Sequence, residues 1–262
     1  MPRLDYYLTS NGYFSSRERA KEAIKSGQIS VNGKVCSKPA LEVSGTDKID
    51  FLGSKLKYVG RGGLKLEEAV NAFGIELSGL TCADLGASAG GFTDCMLQNG
   101  AEKVYSIDVG HGQLAEKLLD DERVVNIEGV NVKDVSISTT GEAVDFVTAD
   151  LSFISVKFAI SAAVKILKSS GEAVFLIKPQ FEAGREAVGK GGIVKSKSTH
   201  MRVLEDIYGY LVLNGFEVAG IVPSPIKGGD GNIEYLAYCT RNHGSSMAPD
   251  FAEIVNKAFS ID

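Results

Sequence analysis

Apolar residues recur along this chain with two periods, and the change between them divides it. From residue 81 onward, short and nearly continuous apolar runs alternate with stretches whose apolar positions repeat every three or four residues. The runs at 81–85, 103–109, 123–128, 144–151, 172–178, 216–224 and 233–240 read as strands. Helical patterns fill 91–100, 112–119, 154–167 and 199–215. Strands that are apolar on both faces and separated by helices imply a mainly parallel sheet covered on both sides. The last two strands are joined by a short loop with no helix, which predicts an antiparallel hairpin at one edge.

The first 57 residues follow another rhythm. "LDYYLTSNGYF" is a short helical pattern ended near Gly12. Ser15 or Ser16 can cap a second helix running through Ile24, with Ala20, Ala23 and Ile24 on one face and Arg17, Lys21 and Lys25 beside it. Gly27 would stop that helix. "QISVNGKVC" is two strands joined by Asn32-Gly33, a strong hairpin signal. Glycines at 53, 60, 62 and 63 then mark a hinge ahead of a helix that ends near Phe73. The expected divisions are an α+β domain over 1–57, a hinge and leading helix over 58–80, the sheet domain over 81–245 and a C-terminal helix over 246–262.

Composition narrows the class. Hydrophobic residues make up 44% of 262, enough to fill a core. No apolar run approaches a membrane span and the N-terminus lacks a signal-peptide pattern, so a cytoplasmic protein without stable membrane association is expected. Cys36, Cys82, Cys95 and Cys239 form no C-x-x-C pair, and His111, His200 and His243 are dispersed. Neither a disulfide framework nor a metal site is expected. The net charge of −5 divides into +4 over residues 1–57 and −9 over the remainder. A basic end on an acidic body is the layout of a polyanion-binding appendage, although an ordinary solvated face has the same composition.

"RLDYYL", "SSRERAKEAIKSGQISVNGKV" and "KPALEV" together resemble the S4 domain, a small RNA-binding module. The resemblance implies contact with structured RNA through the second helix and the hairpin, with Arg17, Arg19, Lys21, Lys34 and Lys38 as the candidate residues. Arg61 in the hinge can contact RNA or simply be solvated.

"TCADLGASAGGFTDCMLQNG" raises a different possibility. Gly86 to Thr93 fits a phosphate-cradling G-x-x-x-x-G-K-[ST] loop except at the lysine, which is Phe92. The dinucleotide pattern G-x-G-x-x-G fails at Ser88. The next strand ends at Asp108, where a carboxylate can accept both hydroxyls of a ribose. A ribose-bearing ligand without phosphates and with a cationic tail suits such a turn, and S-adenosylmethionine has that chemistry. Asp84, Gly86, Ala87, Ser88, Gly90, Gly91, Phe92 and Asp108 are the candidate cofactor residues, with Asp84 beside the amino-acid portion. A NAD-type site or a purely structural turn are the alternatives.

Lys65, Asp150, Lys178 and Glu234 fall where strand ends or helix starts would face one crevice. Two lysines and two acids converging there would neutralise one another, and such a set can activate a weak nucleophile. This set resembles the K-D-K-E tetrad of FtsJ-type RNA ribose 2′-O-methyltransferases. With "YVGRGGLKLEEA", "ADLGASAGGFTDCMLQ", "ADLSFIS", "LIKPQFEAGRE" and "GNIEYL", the chain over nearly its whole length resembles the TlyA (hemolysin A) family. The resemblance implies a Rossmann-like S-adenosylmethionine-dependent methyltransferase sheet that modifies ribosomal RNA, free or in a subunit, as a monomer or weak dimer. It also implies Lys178 as proton acceptor, Asp150 and Glu234 orienting it, and Lys65 holding the target ribose. The glycine-rich stretch with Arg185, Lys190, Lys195 and Lys197 reads as a loop closing over RNA, or as a plain surface loop. The family's other label, a membrane-damaging hemolysin, and a non-catalytic RNA-binding protein are the competing functions.

Overall fold

The computed structural model describes every residue except 15, 26–27, 52–56, 190, 229–230, 242–247 and 261–262. The cap at Ser15, the stop at Gly27, the hinge glycine at 53, Lys190 and His243 therefore lie outside the described residues. The chain forms two compact units, Met1–Lys57 and Tyr58–Asp262.

In the first unit, helices α1 (Leu4–Ser10) and α2 (Arg17–Lys25) accompany a three-stranded antiparallel sheet. Its strands are β1 (Ile29–Val31), β2 (Lys34–Cys36) and β3 (Ile49–Phe51), in the order β2-β1-β3. Leu4, Leu8, Ala20, Ile24, Ile29 and Val43 fill its core. The Ser16 hydroxyl accepts from the Arg19 amide at 3.3 Å and caps α2. The sequence pattern does not show β3, because three residues carry too little alternation. Asn32 and Gly33 have φ of 53° and 76°, both left-handed, as a two-residue turn of the I′ type requires.

The second unit begins with α3 (Gly62–Phe73), ended by Gly74 in the left-handed region. There follow β4 (Thr81–Leu85), α4 (Gly91–Gln98), β5 (Lys103–Asp108), α5 (Glu116–Leu119) and β6 (Val124–Glu128). Next come α6 (Ile137–Thr140), β7 (Val144–Ala149), α7 (Lys157–Ile166), β8 (Leu167–Ile177) and α8 (Pro179–Glu182). The chain closes with α9 (Lys197–Leu213), β9 (Glu217–Pro223), β10 (Tyr235–Thr240) and α10 (Phe251–Ala258). The seven strands lie in the order β6-β5-β4-β7-β8-β10-β9. β4 pairs in parallel with β5 and β7, whereas β10 runs antiparallel to both β8 and β9. The antiparallel pair at the end of the chain is therefore present, but β10 is inserted and β9 takes the edge. The predicted helix over 154–167 stops at Ile166, and β8 starts at once because Leu167 pairs with Val144.

The period-2 alternation of each strand sends side chains to two cores. Val147, Phe175, Tyr235 and Ala237 face Ile160 of α7, Leu204 of α9 and Val255 of α10. Phe146, Val174 and Leu236 face Leu66 of α3 and Met96 of α4. Each fully buried aliphatic side chain contributes about 1.5–3 kcal/mol, so both sides of the sheet are strongly held.

Gly33→Val places a β-branched residue at φ 76° and is expected to destabilise the first unit by about 1–2 kcal/mol. Hydrogen exchange should show lost protection over residues 29–36 and unchanged protection over 144–149.

Candidate active site

The loops at the carboxyl ends of β4, β5 and β7 enclose a cavity of about 360 Å³. Apolar walls come from Leu85, Ile107, Val130, Val132, Leu151 and Ile154, with Asp108 and Asp150 among the polar groups. Among the described residues, no lysine or arginine lines it. The Asp108 carboxylate accepts from the amides of Ser88 at 2.8 Å and Gly110 at 2.7 Å. Those two bonds fix its orientation and leave further lone pairs on each oxygen for a diol. An acid-lined, apolar-walled cavity fits a cationic ribose-bearing ligand and disfavours phosphates.

Beside it two buried lysines meet two acids. Lys65 and Lys178 are each 7% exposed and Glu234 is 2% exposed. Lys65 Nζ lies 2.6 Å from Glu234 Oε2 and 3.8 Å from Asp150 Oδ2. Lys178 Nζ lies 2.6 Å from Asp150 Oδ1 and donates to Ser152 Oγ at 2.9 Å. All four predicted residues thus form one connected set, with Asp150 between the lysines and also lining the cavity. Their placement follows from the fold. Lys65 is on the buried face of α3, Asp150 and Lys178 directly follow β7 and β8, and Glu234 directly precedes β10. Because β10 is reversed, its start lies at the rim where β8 and β9 end.

Residues 58–241 match the FtsJ-like methyltransferase family and residues 2–49 match the S4 domain. Hemolysin A of Brachyspira hyodysenteriae is 43% identical over 237 residues, covering 90% of this chain and 98% of that protein. The 16S/23S rRNA (cytidine-2'-O)-methyltransferase TlyA of Mycobacterium tuberculosis is 37% identical over 260 residues, covering 98% and 97%. The chain belongs to the TlyA family of FtsJ-like methyltransferases. A solved structure from Streptococcus thermophilus, provisionally assigned as a hemolysin, superposes with a TM-score of 0.80 at 41% identity, covering 99% of this chain and 96% of that one.

Several residues of this TlyA-family chain sit elsewhere than their motif suggests. Asp84 is fully buried and does not line the cavity. It lies in one row with Ser106 and Thr148 on adjacent strands. Its carboxylate accepts from the amide and hydroxyl of Thr93 at 2.9 and 2.8 Å and from the Thr148 hydroxyl at 3.1 Å. Asp84 therefore braces the start of α4 from below, whereas its motif leads to the expectation of a place beside an amino-acid tail. Gly86 and Ser88 line the cavity, but Gly90, Gly91, Ala87 and Phe92 do not. A Cβ on Gly91 would lie 2.9 Å from the Gly63 amide nitrogen, and one on Gly90 would strike Leu118. These glycines let α3 and α5 approach α4. Phe92 is buried against Gly62.

In the first unit, Arg17 and Arg3 both pair with buried Asp5, at 2.9 and 3.1 Å. Burial pushes the Asp5 carboxyl up, but the two guanidinium groups outweigh this and hold it below its usual range. Lys21 pairs with Glu18 at 2.6 Å. Arg19, Lys34 and Lys38 are exposed. Arg61 donates to the Lys227 carbonyl at 3.1 Å.

Sequence reasoning missed Ser152, Phe153 and Glu182. Phe153 is 92% exposed with φ of 65°, stands at the cavity rim and lies 5.3 Å from the ring of Phe181. A left-handed, solvent-facing phenylalanine is strained and needs local support. Glu182 supplies part of it by accepting from Ser155 Oγ and the Val156 amide, both at 2.7 Å. Burial raises the Glu182 carboxyl despite those two donors.

Burial also pushes the Asp84 carboxyl up to about 7, against the hydrogen bonds from Thr93 and Thr148 and with help from the nearby Asp150 charge. The folded value exceeds the unfolded value of about 3.9. Its contribution to stability is therefore full at low pH and is lost as pH rises through about 7. Asp84→Asn should raise the melting temperature relative to the native chain at pH 8.5, and the gain should shrink as pH falls and vanish below about 4.

Proposed function

We propose that this chain transfers a methyl group from S-adenosylmethionine to a ribose 2′-hydroxyl of ribosomal RNA. The observation that carries the reading is the pair of buried ion pairs, Lys65–Glu234 and Lys178–Asp150, at the edge of an acid-lined cavity free of lysine and arginine among the described residues. Asp108 would hold the ribose hydroxyls of the cofactor, and the apolar residues around Val130 and Leu151 would flank its purine. When bound, S-adenosylmethionine supplies a methyl group on a sulfonium, already activated for displacement.

The protein's own residues then have two tasks, orientation and removal of one proton. Lys178 takes the proton leaving the ribose oxygen once it has passed its own ammonium proton to the Asp150 carboxylate 2.6 Å away. Ser152 fixes the direction of Lys178 through its 2.9 Å contact. Lys65, held by Glu234, stabilises the negative charge growing on the attacking ribose oxygen. The exposed ring of Phe153 offers a stacking surface for an unstacked base next to that ribose, the usual way single-stranded bases are gripped. Arg19, Lys34 and Lys38 on the S4 unit would add phosphate contacts, with Arg17 and Lys21 partly committed to their own acids.

Calorimetric titration with S-adenosylmethionine should show micromolar binding that Asp108→Ala abolishes; equal binding by the variant would remove Asp108 from the site. Lys178→Ala should lower methyl transfer to ribosomal subunits by more than about 100-fold while RNA binding persists. A lytic protein or a non-catalytic RNA binder would be indifferent to that substitution.

A further inference from the structure

Two buried polar side chains flank Glu234 without lining the cofactor cavity. Asn232, 1% exposed, uses both ends of its amide. Its Oδ1 accepts from the Val194 amide at 3.1 Å, and its Nδ2 donates to the Gly192 carbonyl at 2.9 Å. His200, fully buried in α9, lies 2.8 Å from the Tyr235 hydroxyl through Nδ1 and 3.0 Å from the Val194 carbonyl through Nε2. A carbonyl only accepts, so Nε2 carries the proton and Nδ1 accepts from Tyr235. Both peptide groups of Val194 are thus held by the residues around Glu234: Asn232 two before it, and Tyr235 just after it through His200.

Glu234 is seated from the same segment. Its carbonyl accepts from the Ser224 amide at 2.8 Å, and the Asn232 carbonyl accepts from the Gly228 amide at 2.8 Å. Gly228 lies so close that a Cβ there would be 2.5 Å from Glu234 Oε1. On the other side, Val194 belongs to the glycine-rich loop. That loop closes on itself through the Gly189 amide and the Ile193 carbonyl at 3.0 Å, and it carries exposed Arg185 and Lys195. Buried hydrogen bonds from Val194, continued by the short backbone from Asn232 to Tyr235, therefore join a basic surface loop to the acid that holds Lys65.

We propose that Asn232 and His200 are positioning residues that seat Glu234, so that the loop residues around Val194 and the Lys65–Glu234 pair move as one body when RNA lies on the loop. This rests on the methyl-transfer reading. Buried polar groups with no alternative partner resist separation, so a shift of Val194 must be shared by the strand start rather than absorbed between them.

Single-turnover methyl transfer to ribosomal subunits tests it. Asn232→Ala should slow transfer by between about tenfold and hundredfold and leave S-adenosylmethionine affinity unchanged. In a Glu234→Gln background the same substitution should cause no further loss. An equal loss in both backgrounds, or none in the native one, overturns the proposal. His200→Gln provides a second variant, and hydrogen exchange on the free protein a readout independent of activity. Either variant should speed exchange over 189–194 and 234–236 together, whereas faster exchange in the loop alone overturns the coupling. A native chain that methylates no ribosomal RNA would instead defeat the functional reading, with the exchange result still deciding the coupling.

Discussion

Two nearly buried lysines each meet a carboxylate at 2.6 Å, and the architecture of the larger unit brings these four groups together. Moving an ammonium out of water costs several kcal/mol unless an opposite charge and hydrogen bonds replace the solvent. Glu234 does this for Lys65 and Asp150 for Lys178, each at 2.6 Å. The four groups come from α3, from the ends of β7 and β8 and from the start of β10. Their pairing thereby ties the first helix of the unit to its last strand. Removing one partner would leave a buried charge alone, so the set is kept or lost together.

The parallel sheet was readable because strands covered on both faces leave long apolar runs. The insertion of β10 was not, since no periodicity says which neighbour a strand chooses. The four residues of the ion-pair set were legible as a group through family resemblance, yet who pairs with whom depends on strand order. Asp84 shows the same limit. In the sequence it sits in a glycine-rich motif and looks ligand-facing, but its register beside Ser106 and Thr148 turns it inward. Phe153 carried no signal at all, because exposure and a left-handed φ are properties of the loop and not of the residue type.

The basic residues of the S4 unit teach a related lesson. Charge counting treats Arg17, Lys21, Lys34 and Lys38 alike. The structure separates them, for Arg17 neutralises buried Asp5 and Lys21 meets Glu18, while Lys34 and Lys38 stand on the exposed hairpin and the turn beyond it. Only tertiary contacts distinguish a charge that is paired within the fold from one that faces solvent.

The reversed strand has one more implication, for how this fold can change over evolutionary time. Along β10, Tyr235 and Ala237 belong to one core and Leu236 to the other. Losing a single residue inside the strand would exchange the two faces, burying the wrong side chains. Glu234 stands immediately ahead of it, so the same slip would carry its carboxylate away from Lys65. A one-residue change within this strand is therefore tolerated only where a bulge, like the one already present opposite β9 at Tyr238/Cys239, restores the alternation.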